Sequence, residues 1–65
     1  MNVSVTYEYL SRAPETWRGE FNTGRASNAA RLGLKASKAA LKPRGWASIV
    51  VLVSRPVGAG DGDEE

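Results

Sequence analysis

The sequence predicts a small α+β domain in the order β-β-α-β, with one helix packed on one face of a three-stranded mixed sheet of order 2-1-3. Three observations predict it. Two stretches near the N-terminus alternate apolar and polar residues, the period of a half-buried strand. A central stretch repeats with helical spacing and stops at a proline. A block of β-branched residues follows it.

The first strand runs from Asn2 to Leu10. Val3, Val5, Tyr7 and Tyr9 point to one side, and Ser4, Thr6 and Glu8 to the other. Ser11 to Glu15 reads as a turn, because Pro14 fixes its own φ and lacks a ladder donor. Thr16 to Asn22 alternates again, with Trp17, Gly19 and Phe21 on one side. Pairing Tyr9 with Trp17, Tyr7 with Gly19 and Val5 with Phe21 gives Tyr7 room over Gly19. The same register sets Glu8 opposite Arg18, an attractive cross-strand pair.

The helix is expected from Ala26 to Leu41, with Thr23 or Ser27 as N-cap. Pro43 stops it, since a residue before proline is pushed out of the α region. At 100° per residue, Arg31, Lys35, Lys38 and Lys42 fall within about 60° of one another. Ala29, Gly33, Ala36 and Ala40, flanked by Leu32 and Leu41, form the opposite side. Gly33 costs a helix interior about 1 kcal/mol relative to Ala, so close packing is its expected reason.

Arg44-Gly45 turns the chain, and Trp46 to Ser54 forms the third strand. Its apolar run implies burial on both faces. A right-handed crossover makes it parallel to the second strand, and the simplest sheet sets it beside the first. It is then an apolar edge strand. Val50 and Leu52, or else Ile49, Val51 and Val53, lie on the face without a helix, a liability unless something pairs there.

Residues 1–57 form a single domain in this reading, and the acidic tail 58–65 is expected to be disordered. A chain of 65 residues buries only about 60% of its unfolded surface. With no cysteine, no disulfide or thiolate-bound metal braces it. That absence fits a reducing, cytoplasmic location. No signal peptide is recognised, and the longest apolar run, Ile49–Val53, is far short of a membrane span.

Catalysis, metals and cofactors are not expected. Histidine is absent, so the usual base near neutral pH is missing. The carboxylates Glu8, Glu15 and Glu20 are scattered. Ser37 adjoins Lys38, but neighbours on a helix do not face each other. Gly24-Arg25-Ala26-Ser27 lacks the spacing of a phosphate-binding loop.

What remains is charge. The net +2 divides into +6 over residues 1–58 and −4 over the last seven. Between Glu20 and Asp61 there is no acid, yet there are seven bases: Arg25, Arg31, Lys35, Lys38, Lys42, Arg44 and Arg55. The four helical cations would line about 16 Å of rod. Arg25 and Arg44 extend the patch at its two ends. The pattern predicts weak, sequence-tolerant binding to the phosphate backbone of DNA or RNA. Base readout is not expected, since the stripe is rich in Lys and has no Asn or Gln beside it, and Arg31 alone has bidentate geometry. The competing explanation is a merely solvated face, common on short amphipathic helices, which accounts poorly for the missing acids; acidic proteins and membrane surfaces are the other partners such a stripe would fit. Trp46 beside Arg44 would stack a base, or else belong to the core or its rim. A second class of function is protein interaction, as a homodimer formed through the third strand and the Val50 and Leu52 face. The acidic tail either solubilises the chain or shields the stripe.

Overall fold

The computed structural model describes residues Met1–Arg55. The tail 58–65 therefore lies outside the described residues. Strands β1 (Asn2–Tyr9), β2 (Glu15–Glu20) and β3 (Trp46–Ser54) flank helix α1 (Ala26–Leu41) in the chain order β1-β2-α1-β3. The sheet order is β2-β1-β3. Both hydrogen-bonded pairs are antiparallel, so the sheet is antiparallel rather than mixed. β2 and β3 do run the same way, but β1 separates them.

β1 is the spine of the core. Val3, Val5 and Tyr7 are buried, joined by Met1 and by Ala29 of the helix. Tyr9, Trp17, Phe21, Leu34, Leu41, Ile49, Val51 and Val53 pack around them. Alternation thus assigned the strand faces of β1 and β2 correctly.

The hairpin register differs from the expected one. Trp17 lies opposite Val5, Gly19 opposite Val3 and Glu15 opposite Tyr7. The shift is even, so every side chain keeps its face. The indole of Trp17 lies forward along its own strand, where a Cβ on Gly19 would collide with it. Gly19 makes room for Trp17, not for Tyr7. Trp17 then meets Phe21 with ring centroids 6.0 Å apart. Glu8 turns to β3 and accepts a hydrogen bond from Ser48 Oγ at 2.6 Å. Arg18 sits opposite Ser4 instead.

α1 has the expected bounds, but its buried side is rotated. Ala29, Gly33 and Ser37 are buried, while Ala40 is exposed and Leu32 is 37% exposed. Burying Leu34 and Leu41 removes more apolar surface from water than burying alanines. Turning these leucines inward carries Ser37 into the core between them. Gly33 lets the helix settle onto Val3: a Cβ there would lie 2.5 Å from Val3 Cγ1.

Helix entry also differs. The N-cap residue is Arg25, with no side-chain cap. Thr23 uses its hydroxyl to accept the Arg25 N–H at 3.3 Å, and Ser27 lies inside the first turn. At the other end Lys42 takes the left-handed conformation (φ 50°, ψ 56°) and donates its N–H to the Lys38 carbonyl at 3.0 Å.

β3 is covered on one face only. Its pairing with β1 sets Ile49, Val51 and Val53 opposite Tyr7, Val5 and Val3, beneath the helix. Val50 and Leu52 face the other way and are 40% and 65% exposed. The expected burial on both faces is absent because α1 covers only the side to which Val5 and Tyr7 point.

Candidate nucleic-acid interface

The six candidate basic residues fall at four places. Arg31, Lys35 and Lys38 are exposed on the outer side of α1, turned away from Ala29, Gly33 and Ser37. From Arg31 to Lys38 the helix rises about 10 Å. Lys42 follows at the cap. It has left the helical path, so the regular stripe holds three cations and the fourth stands at its end. Arg25 occupies the opposite cap, and Arg44 lies in the connection to β3.

Among the described residues, no carboxylate lies within ion-pair distance of any of these six; the ion pair seen joins Arg12 to Glu15 at 3.3 Å. Arg31 donates from Nη2 to Asn28 Oδ1 at 3.2 Å. That contact steers one edge of the guanidinium and leaves its charge uncompensated. The helix contains no acid in its first turn, and Lys38 lies in its last. Lys38 suits the negative end of the helix dipole, whereas Arg25 opposes the positive end.

A second cluster holds the α1–β3 connection. Arg12 lies over the Tyr9 ring, 3.7 Å from its centroid. Its guanidinium donates to Glu15 Oε2 at 3.3 Å and to the Arg44 carbonyl at 3.0 Å. Tyr9 donates to Glu15 Oε1 at 2.9 Å. Desolvation, with the Glu15 carboxylate beside it, raises the Tyr9 phenol above its ordinary value of 10.0. Arg12 thus fixes the loop that carries Arg44. Sequence reasoning missed this tie, since 32 residues separate the partners. The Asn28–Arg31 contact has helical spacing, and it corrects the expectation that no amide side chain stands beside the stripe.

The open sheet face carries Ser4, Thr6, Glu8, Arg18, Ser48, Val50 and Leu52, with the Thr6 and Thr16 hydroxyls 2.9 Å apart. None of these is aromatic, so a base-stacking sheet of the RNA-recognition type has no platform here. Trp46 is 42% exposed and meets Tyr7 edge-on, ring centroids 6.2 Å apart. It is a rim residue with one free side. Among the described residues no three His, Cys, Asp or Glu side chains converge as metal ligands. No helix among them is long and apolar enough to cross a membrane.

The chain matches no protein-family model, no curated protein and no solved structure. A functional reading therefore rests on the geometry of α1 and its flanks.

Proposed function

We propose that the protein binds the phosphate backbone of nucleic acid, weakly and without sequence preference, through the outer face of α1. Arg31, Lys35 and Lys38 supply the central contacts. Arg25, Lys42 and Arg44 extend them at the two ends.

One observation carries the reading: cations occupy positions where helix stability favours other residues. An N-cap is best filled by Ser, Thr, Asp or Asn. Arg25 stands there with no cap hydrogen bond. A left-handed C-terminal position is best filled by Gly. Lys42 stands there at φ 50°. A face shaped only by solvation would have no reason to sacrifice both caps to positive charge. Departures from local stability rules concentrate at functional sites.

About four phosphates neutralised give a log–log salt slope near −3.6, so affinity falls roughly 150-fold between 50 and 200 mM salt. Fluorescence titration of mixed duplex and single-stranded oligonucleotides at low salt tests this. Salt-sensitive binding of both forms is expected. No binding at low salt ends the proposal.

A further inference from the structure

We propose that two copies of this chain pair β3 against β3, antiparallel about Val51, to form one continuous six-stranded sheet with both basic helices on the same side.

The two sheet edges are built differently. β2 has six residues, three of them charged (Glu15, Arg18 and Glu20), and it follows Pro14. Charges and a flanking proline blunt an edge against further pairing. β3 has nine residues and neither a charge nor a proline. Its backbone is an open template, and Val50 and Leu52 stand exposed beside it.

The edge is complementary to itself. From Ser48 to Ser54 it reads Ser-Ile-Val-Val-Leu-Val-Ser, a near-palindrome about Val51. A two-fold axis at Val51 sets Ser48 opposite Ser54 and Ile49 opposite Val53. It also sets Val50 opposite Leu52 twice on the open face. Every pair matches in character, as cross-strand pairing requires. The irregularity in the β1–β3 register falls between Glu8 and Tyr9, where Ser48 gives way to Trp46. The regular edge is therefore the same segment, Ser48–Ser54, that reads symmetrically.

An antiparallel joint in a continuous sheet has its two-fold axis perpendicular to the sheet, so neither copy is turned over. Both stripes then face one way. The β1 strands beneath the helices are three strand spacings, about 14 Å, apart.

The pairing rests on β3, and association is read without nucleic acid, so its failure and that of the polyanion reading are distinguishable. Sedimentation of the full chain at about 100 μM, where a micromolar interface is populated, should give twice the 7.0 kDa protomer mass. Leu52→Lys, at an exposed position, should restore the protomer mass with an unchanged circular dichroism spectrum. The cysteine-free chain allows a register test. Val50→Cys mixed with Leu52→Cys should form disulfide-linked dimers faster than either variant alone. A wild-type monomer at this concentration overturns the proposal. So does a dimer that persists in Leu52→Lys, or cross-linking that is no faster in the mixture.

Discussion

The Tyr7 hydroxyl of β1 meets the Ser37 hydroxyl of α1 at 2.6 Å, and both residues are fully buried. Ser37 also donates to the Leu34 carbonyl at 2.9 Å. A serine hydroxyl has one proton, so the Tyr7 O–H is the donor to Ser37. The chain of bonds runs Tyr7 to Ser37 to Leu34, and it pins the helix to the central strand.

The order of donors predicts an asymmetry. Ser37→Ala strands a buried tyrosine donor and should cost about 1–3 kcal/mol. Tyr7→Phe leaves Ser37 its own donor bond and should cost about 1 kcal/mol. The double variant should cost less than the two single changes together, because the stranded donor is gone. Urea unfolding of the four proteins checks this. Equal single costs, or additive ones, contradict the assigned direction.

Gly33 sets local propensity against packing. On propensity alone Gly33→Ala should stabilise α1 by about 1 kcal/mol. A Cβ at this position, however, would lie 2.5 Å from Val3 Cγ1. Val3 is buried in the central strand and has little room to move. Overpacking of this kind typically costs about 1–3 kcal/mol, so the net change should be a loss of stability. A rise in thermal midpoint for Gly33→Ala would mean that the helix stands off the sheet more easily than the packing suggests.

Most of the fold was legible because period-two and helical patterns are local. The helix bounds follow from such patterns, and the strand order from the crossover rule. Which side of β3 stands open was not legible, because an unbroken apolar run does not distinguish Val50 and Leu52 from Ile49, Val51 and Val53. The register was not legible, because an even shift preserves both faces. The choice between Tyr9 and Val5 as partner of Trp17 depends on where the indole lies. Its place over Gly19 depends in turn on Val3 and the helix. The inward turn of Ser37 was hidden for a similar reason: its partner is 30 residues away. Of the candidate site, the stripe Arg31, Lys35 and Lys38 was readable from spacing. The departure of Lys42 into a left-handed cap was signalled only indirectly, by Pro43 one residue on.

Both helix caps offer a trade between stability and binding. Arg25→Ser should supply the missing cap hydrogen bond and raise stability by about 1 kcal/mol. Lys42→Gly removes the strain of a side chain at φ 50° and should gain about 0.5–1 kcal/mol, once the greater freedom of glycine in the unfolded chain is deducted. If these cations contact phosphates, each variant should also flatten the log–log salt slope by about 0.9. Chemical denaturation and oligonucleotide titration on the same samples read both effects. Stabilised variants with an unchanged slope would place the caps outside the interface.

The Tyr9 phenol predicts a pH dependence with a definite sign. Its folded value lies above the ordinary value of 10.0, through desolvation first and the Glu15 carboxylate second. Above pH 10 the unfolded chain therefore releases this proton before the folded chain does. Stability falls wherever the native state holds more protons than the unfolded state. The contribution of Tyr9 is thus fully present below pH 10 and is lost as pH rises through the folded value. Lysines titrate in the same range, so the wild type alone is not diagnostic. Tyr9→Phe keeps the ring beneath Arg12 and removes only the hydroxyl. The stability gap between wild type and Tyr9→Phe should hold constant from pH 7 to 9 and narrow from pH 10 to 11. A gap that widens over that interval would mean that Arg12, 3.7 Å from the ring centroid, stabilises the phenolate more than Glu15 and desolvation oppose it.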